Sequence, residues 1–223
     1  MLGYGRQSID DSDIAAVLAV LRGEAFTCGP AIEAFEAAIR EHSGAAHAVA
    51  ISNGTSALRL LYQAIGIGPG TRVGVPAITF VATASQALLL GAEVVLLDVD
   101  PDTLLLTPAI LRACRERLDY VVPVHMAGRL CDLRGLAEVA NQRGITVLED
   151  AAHAFGSRWH DGHRAGDGSW SRGAIFSFHP VKNVTTGEGG AVVCNDPVLA
   201  ERLRQLRHHG IVRHGFRGDL APT

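Results

Sequence analysis

The sequence predicts an α/β domain built on a largely parallel sheet that is flanked by helices. Short apolar runs alternate along the chain with longer segments whose apolar residues recur at helical spacing, a pattern typical of successive strand–helix units. A length of 223 residues with 48% hydrophobic and 19% charged residues is enough to bury one large core. Polar residues cluster directly after several apolar runs, which is where ligands bind in open α/β sheets.

The first half of the chain predicts alternating helices and strands. Ser8 and Asp11 have capping-box spacing and Gly23 can end a helix, so the first helix is expected at about 10–22. The run at 93–98 is apolar enough to be a buried strand. The other elements predicted in this half are helices at 31–41, 55–65 and 80–90 and strands at 47–51 and 72–76.

The second half continues the same alternation. Thr107 and Pro108 can open a helix as N-cap and first residue, and Asp196 and Pro197 can open the last one, which runs to about 208. A Gly-rich polar segment at 159–173 is the only long loop. The other predicted elements are strands at 120–124, 145–148, 174–178 and 191–194 and a helix at 133–143.

The composition excludes several classes of protein. A formal net charge of −3 and a pI near 6.3, with no basic run, argue against a surface for nucleic acid. The sequence has no apolar stretch that is long and uninterrupted enough to cross a bilayer, so no membrane partner is expected. The N-terminal segment MLGYGRQSIDD carries acids where a signal peptide needs a cationic start and an apolar stretch, and we therefore expect a cytoplasmic protein.

The sequence indicates no metal site. His160 and His163 have a metal-like spacing, but they lie in the Gly-rich segment with no third ligand near them in sequence, which favours solvated histidines. Widely scattered cysteines favour reduced, structural thiols over a disulfide framework. These cysteines are Cys28, Cys114, Cys131 and Cys194.

Lysine usage is unusual, because Lys182 is the only lysine among 20 basic residues. Arginine stays protonated near neutral pH, whereas a desolvated lysine can lose its proton, act as a nucleophile and form a Schiff base. A single lysine can equally survive by chance at a surface position. The sequence around Lys182 is therefore needed to distinguish a reactive lysine from a surface lysine.

Four predicted strand ends carry polar or glycine-rich segments, at 52–56, 149–153, 177–182 and 185–190. The first can present backbone amides and a helix N-terminus to a phosphate, although an ordinary helix cap has the same residues. Asp150 ends a buried strand and needs a partner or a function, or caps the next turn. Together with Lys182, these parts suggest pyridoxal phosphate. Sequence motifs of nucleotide-binding loops are missing.

Four segments carry a specific resemblance: ISNGTSAL from Ile51, PAITFVATA from Pro76, EDAAHA from Glu149 and FSFHPVKN from Phe176. They resemble, in order and spacing, the nucleotide-sugar aminotransferases of the DegT/DnrJ/EryC1/StrS family. The similarity extends over nearly the whole chain. It implies the large domain of the fold-type I pyridoxal-phosphate enzymes, with a mainly parallel seven-stranded sheet.

The resemblance also implies site residues. Lys182 would bind the cofactor covalently and then transfer the proton as general base and acid, and Asp150 would keep the pyridine nitrogen protonated. Family members that dehydrate sugars have histidine in place of the lysine, so Lys182 favours amino transfer. The other implied roles are phosphate binding for Thr55, Ser56 and Ser177, stacking on the ring for Phe80, and proximity to the ring hydroxyl for His153. A core aromatic and a structural histidine are the alternatives for the last two.

Within the family, residues 4–7, 123–128 and 185–190 most resemble the branch that aminates UDP-4-keto-6-deoxy-N-acetyl-L-altrosamine in pseudaminic acid synthesis. This implies a UDP-sugar and glutamate as substrates and a homodimer whose subunits complete each other's sites. Two alternatives stay open. The chain can act on another nucleotide keto sugar, or it can be a non-catalytic remnant that retains the cofactor-binding fold.

The resemblance implies a division of the chain into three parts. Residues 1–30 would form an N-terminal helix and an active-site arm, residues 31–210 the cofactor-binding large domain, and residues 211–223 the start of a link to a C-terminal domain. Family members carry that further domain, so the sequence is interpreted as a gene fragment or a short form. We expect little aminotransferase activity from residues 1–223 alone.

Overall fold

A computed structural model describes residues 7–25 and 28–211 of the chain. The strands are β1 (His47–Ile51), β2 (Arg72–Pro76), β3 (Glu93–Leu97), β4 (Tyr120–Val121), β5 (Thr146–Val147), β6 (Glu149–Asp150), β7 (Ala174–Ser177) and β8 (Gly190–Cys194). The helices are α1 (Asp11–Arg22), α2 (Pro30–Ser43), α3 (Gly54–Ile65), α4 (Ala82–Leu89), α5 (Pro108–Ala113), α6 (Leu133–Gln142) and α7 (Pro197–Arg207). A short 3-10 helix follows β4 at Met126–Gly128.

One mainly parallel sheet forms the centre of the fold. β5 and β6 are consecutive parts of one strand that is interrupted at Leu148. The Leu148 amide donates to the Val121 carbonyl on one side and the Glu149 amide donates to the Gly173 carbonyl on the other, so this strand joins the groups β3-β2-β4-β5 and β6-β7-β8-β1. Among the described strands, β8 alone runs in the opposite direction to the rest of the sheet, and it pairs antiparallel with β1 and β7. With β5 and β6 counted as one, the predicted seven-stranded sheet is confirmed.

Helices cover both faces of the sheet. Alternate strand residues point to opposite faces, so Ile175 and Val192 pack with α3 and α7, while Phe176 and Val193 pack towards α2. Further along the second face, Val147 belongs to a cluster with α5 and α6. Burial on both faces explains why the strands are short continuous apolar runs in the sequence.

The first helix is capped by other residues than those predicted. Asp10 accepts hydrogen bonds from the amides of Ser12 and Asp13, and the Asp13 carboxylate accepts one from the Asp10 amide. The prediction that Ser8 and Asp11 form the capping box was therefore wrong. Serine and aspartate are equally good caps, so spacing alone did not separate the two candidates.

α4 is shorter and β3 is less buried than predicted. α4 begins at Ala82, and Phe80 precedes the helix. β3 lies at the edge of the sheet and pairs with β2 only, so Leu96 is 65% exposed. The regular pairing of β4 ends early, although Val124 still forms a bridge with Asp150. The remaining elements begin and end within about two residues of the predicted positions, which is the usual uncertainty of such boundaries.

α1 contributes nothing to the described core. None of its residues is buried, and its large apolar side chains are exposed. Except for Gln7, the segment at 4–7 that carries part of the branch resemblance lies outside the described residues, as does the expected link at 211–223 apart from its first residue. Within the described ranges, none of the helices has the length and apolar character that crossing a bilayer demands.

Candidate active site

Most of the predicted site residues lie at one edge of the sheet, where the parallel strands reach their carboxyl ends. Residues 52–55 follow β1, residues 77–81 follow β2, Asp150 ends β6 and Ser177 ends β7. Lys182 lies in the turn after β7. The fold therefore brings together residues that are widely separated in the sequence.

Asp150 is a buried carboxylate with a hydrogen-bond donor at each oxygen. It is 4% exposed, Thr83 Oγ1 donates to its Oδ2 at 2.6 Å, and the Ala152 amide donates to its Oδ1 at 3.1 Å. Its own amide donates to the Pro123 carbonyl, and its carbonyl accepts from the His125 amide. A buried carboxylate needs such donors, because burying an unpaired charge costs several kcal/mol. Both donors, the Thr83 hydroxyl and the Ala152 main-chain amide, are neutral, so the negative charge of the carboxylate stays available to a cationic group at this edge.

Lys182 is half-buried within electrostatic range of Asp150. Burial lowers the pKa of its amine from the usual 10.5, and the negative charge of Asp150 opposes this shift. The Lys182 amide donates to the His179 carbonyl, and the adjacent Asn183 side chain donates to the Phe155 carbonyl at 2.6 Å. The lysine turn is thereby tied to the segment that follows Asp150. A lowered pKa increases the fraction of neutral, nucleophilic amine.

His153 lies beside Lys182 on the wall of an open cavity of about 240 Å3. Burial, and then the positive charge of Lys182, lower the pKa of His153 from 6.5, against the effect of Asp150. The Ala127 amide donates to Nδ1 of the ring at 3.3 Å. The neutral ring therefore carries its proton on Nε2.

The N-terminus of α3 presents backbone amides at the same edge. Asn53 caps the helix, because its Oδ1 accepts from the Ser56 amide at 2.7 Å and its carbonyl accepts from the Ala57 amide. The helix geometry leaves the amides of Gly54 and Thr55 without an intrahelical acceptor. These amides and the helix dipole favour an anion at this position.

Two glycines allow this helix end to approach β7 and β8 closely. A Cβ atom at Gly54 would lie 2.9 Å from Cβ of Ser177, and one at Gly190 would lie 2.4 Å from the carbonyl carbon of Asn53. Both distances are too short for a side chain of any kind. The contact places the hydroxyl-bearing Ser177, which is 7% exposed, beside the first turn of α3.

The remaining predicted residues differ in exposure. Thr55 is exposed and Ser56 is half-buried on the first turn of α3. The Phe80 ring is 67% exposed beside the strand end of β2. The alternative interpretation of Phe80 as a core aromatic is therefore wrong.

Glu149 points away from this edge, as the alternation along a strand predicts. It is 1% exposed and contacts three groups: Nε2 of the fully buried His125 at 3.0 Å, the Gly166 amide at 3.0 Å and the Ser171 hydroxyl. The Cys131 amide donates to Nδ1 of His125, so Nε2 is the donor to Glu149. This network fixes the Gly-rich segment to the strand that carries Asp150.

The Gly-rich segment lines a second cavity, of about 290 Å3, that contains none of the predicted site residues. Trp159 and Trp170 both line it. His160 is exposed, and His163 contacts the Asp167 carboxylate at 3.1 Å. Among the described residues there is no cluster of three or more side chains suited to a metal ion.

Thr83 and Asn183 are parts of the edge that the sequence analysis did not assign. Thr83 lies in the first turn of α4. Its side chain is fully buried and contacts Asp150. Thr79 and Thr83 are four residues apart and follow the end of a strand. This pattern could have predicted that both hydroxyls lie close together at the candidate site. The contact of Asn183 with Phe155 joins two loops and has no local sequence signal.

A model of the DegT/DnrJ/EryC1/StrS aminotransferase family matches residues 7–220. The chain belongs to this family. Enzymes of the family use pyridoxal phosphate as cofactor.

Three solved structures illustrate the similarity. S. venezuelae DesV, in complex with a ketimine intermediate, is 39% identical with a TM-score of 0.86, over 94% of this chain and 56% of that one. 3-Amino-5-hydroxybenzoic acid synthase is 39% identical with a TM-score of 0.87, over 96% and 56%. Helicobacter pylori PseC, an aminotransferase of pseudaminic acid biosynthesis, is 31% identical with a TM-score of 0.89, over 96% and 58%. The chain thus spans little more than half of these relatives.

Proposed function

We propose that this chain is the cofactor-binding region of a pyridoxal-phosphate-dependent nucleotide-sugar aminotransferase. The observation that carries the proposal is that buried Asp150 and half-buried Lys182 lie within electrostatic range of each other at one sheet edge, beside the exposed end of α3. An acid, an amine and an anion site are the three groups that the cofactor needs from a protein.

The residues at the edge fit the cofactor's phosphate. The free amides of Gly54 and Thr55 donate to its oxygens, and the hydroxyls of Thr55, Ser56 and Ser177 add further donors. The close approach of Gly190 to Asn53 supports this assignment, because it holds the helix end against the strand. The positive end of α3 compensates the phosphate charge.

The residues around Asp150 fit the ring. Asp150 would pair with the protonated ring nitrogen, Phe80 would cover one ring face with its exposed side chain, and His153 would offer its Nε2 proton to the ring hydroxyl. When bound, pyridoxal phosphate supplies an electron sink for a carbanion at the substrate carbon that bears the nitrogen. Asp150 keeps the proton on the ring nitrogen and thereby maintains that sink.

Lys182 has two tasks in this proposal. Its neutral amine would hold the cofactor covalently, and the same amine would act as general base and acid for the proton at the reacting carbon. Burial supports both tasks because it lowers the pKa of the amine. The tie from Asn183 to Phe155 holds the amine at the edge between reaction steps.

The amino acceptor is a nucleotide-linked keto sugar, and we propose a UDP-linked 4-keto-6-deoxy amino sugar with glutamate as amino donor. The resemblance of residues 123–128 and 185–190 to the pseudaminic acid branch supports this choice, as does the similarity to PseC. The higher identity to DesV and to 3-amino-5-hydroxybenzoic acid synthase favours a rival keto substrate. We further propose that the complete protein is a homodimer in the cytoplasm.

Amino transfer to a panel of keto substrates tests the proposal. Because the chain spans 56% of DesV, the assay uses the chain alone and the chain joined to the part of a relative that it does not match. We expect glutamate-dependent amination of the UDP-linked 4-keto sugar by the joined protein, and none by its Lys182→Arg variant. Preference for a TDP-linked sugar or a keto compound without a nucleotide would replace the proposed substrate. A folded chain that takes up no cofactor would favour the non-catalytic remnant.

A further inference from the structure

Thr83 connects Asp150 to two other parts of the fold. Its side chain is fully buried, its Oγ1 lies 2.6 Å from Asp150 Oδ2, and Oγ1 of Thr79 lies 2.8 Å away on the other side. The Thr83 carbonyl accepts a hydrogen bond from the hydroxyl of fully buried Tyr62 at 3.0 Å. Thr83 is therefore anchored through its main chain to α3 while its side chain contacts β6.

The direction of the hydrogen bonds follows from the chemistry of the groups. The Thr83 hydroxyl has two acceptors, the Asp150 carboxylate at 2.6 Å and the Phe80 carbonyl at 3.2 Å. The carboxylate is the nearer and the charged one, so the single hydroxyl proton is directed at Asp150. The lone pair of Thr83 then accepts the proton of Thr79, which gives the order Thr79 to Thr83 to Asp150. Each hydroxyl polarises the next, which strengthens the bond to the carboxylate.

The Tyr62 contact keeps this arrangement in one state. Burial raises the pKa of Tyr62, and the negative charge of Asp150 raises it further, so the phenol stays protonated and donates to the Thr83 carbonyl. The first turn of α4 cannot shift without breaking that buried bond. The hydroxyl of Thr83 is therefore held at a fixed position relative to Asp150.

Building on the proposed function, we propose that Thr83 is a positioning residue that sets how strongly the Asp150 carboxylate keeps the ring nitrogen of the cofactor protonated. Its hydroxyl occupies one lone pair of Oδ2 and orients the remaining lone pairs of the carboxylate towards the ring. Without that donor, a buried carboxylate holds a proton more tightly, and the proton moves from the ring nitrogen towards Asp150.

The test uses pyridoxal phosphate labelled with 15N in the ring and three variants of the full chain. Thr83→Val removes the hydroxyl at nearly constant shape, Thr83→Ser keeps it, and Tyr62→Phe removes the bond to the Thr83 carbonyl but leaves Asp150 its donor. The measurements are the dissociation constant of the cofactor and the 15N chemical shift of the bound ring, which reports the proton on nitrogen.

We expect Thr83→Val to weaken cofactor binding by about tenfold or more, since hydrogen bonds to charged groups have effects of that order. Its 15N shift should move towards the unprotonated value. Thr83→Ser should match the parent in both measurements, and Tyr62→Phe, which loosens the first turn of α4 but leaves Asp150 its donor, should change the 15N shift much less than Thr83→Val. If Thr83→Val fails to fold, the half-buried Thr79→Val, which removes the donor to Thr83, should give a smaller change in the same direction.

Several results would overturn the inference. Thr83→Val, or in its place Thr79→Val, with the parent 15N shift would show that the hydroxyl has no effect on the ring nitrogen. Equal 15N changes in Thr83→Val and Tyr62→Phe would indicate a structural role only. Failure of the parent chain to bind the cofactor would overturn the proposed function and this inference with it, whereas normal parent binding with an unaffected Thr83→Val overturns this inference alone.

Discussion

At the scale of single residues, the chemistry depends on how much each ionisable group is buried. Asp150 and Glu149 are adjacent acids on one strand, yet they face opposite sides of the sheet and have different partners. The sequence predicted this division, because side chains alternate along a strand. It did not predict the partners, since His125, Ser171 and Thr83 are brought in by other elements.

The first prediction concerns the reactivity of Lys182. Burial lowers the pKa of its amine below 10.5, so the neutral form appears at lower pH than in a free lysine side chain. The rate of cofactor attachment should therefore rise with pH along a curve displaced to lower pH than that of N-acetyl-lysine in the same buffers. Asp150→Asn should displace it further, because the carboxylate raises this pKa. A curve that coincides with that of N-acetyl-lysine would contradict the effect of burial.

The second prediction concerns the buried network of Glu149. Glu149→Ala leaves His125, the Gly166 amide and the Ser171 hydroxyl without their common acceptor, and loss of one partner from such a network costs about 3–5 kcal/mol. Urea unfolding followed by circular dichroism measures the change. The control is Glu138→Ala, which breaks an exposed ion pair with Arg134 and should cost below about 1 kcal/mol. Similar losses in the two variants would argue against the network.

At the scale of elements, turn residues and hydrophobic periodicity located the helices and strands, whereas tertiary contacts determined where some of them begin and end. β1 and β2 were predicted at their observed boundaries because turn residues flank both runs. α4 starts later than predicted because Phe80 is at the candidate site rather than on a packed helical face. The reversed direction of β8 could not be predicted, since a run buried on both faces reads the same in either direction.

The third prediction concerns the contact between β8 and α3. Gly190→Ala places a Cβ atom 2.4 Å from the Asn53 carbonyl carbon, so the end of α3 must move away from β8. We expect cofactor binding to fall by at least about tenfold and the unfolding midpoint to drop, as overpacking costs about 1–3 kcal/mol. In the control, Gly68→Ala, the new Cβ meets its nearest atom at 3.6 Å. Parent-like cofactor affinity in Gly190→Ala would contradict the proposed phosphate site.

At the scale of the whole molecule, the fold places its candidate site at one edge of the sheet, and within residues 7–25 and 28–211 the apolar side chains of α1 are exposed. Periodicity located seven strands and indicated a largely parallel sheet, and the family resemblance added the expectation that they form the large domain of a fold-type I enzyme. The expected three-part division of the chain stays a prediction. The exposed apolar side chains of α1 are Ile14, Val17, Leu18, Val20 and Leu21.

The fourth prediction concerns assembly. Exposed apolar side chains on a helix with no buried residue favour a partner surface, and the proposed partner is a second copy of the chain. Sedimentation over a concentration series should show a dimer. Val17→Glu should shift the equilibrium towards monomer, and Ser12→Glu, a polar exchange on the same helix, should have little effect. A parent chain that is monomeric at every concentration would contradict the proposed homodimer.

The central claim is that Lys182 binds pyridoxal phosphate at a site completed by Asp150. The chain is incubated with the cofactor, reduced with borohydride, digested and analysed by mass spectrometry. Because Lys182 is the only lysine, the α-amino group of Met1 serves as the internal reference for unselective labelling. The account predicts near-complete phosphopyridoxyl labelling of the peptide that contains Lys182 at cofactor concentrations that leave the α-amino group unlabelled, and much weaker labelling in Asp150→Asn. Labelling of Lys182 no stronger than that of the α-amino group would contradict the claim.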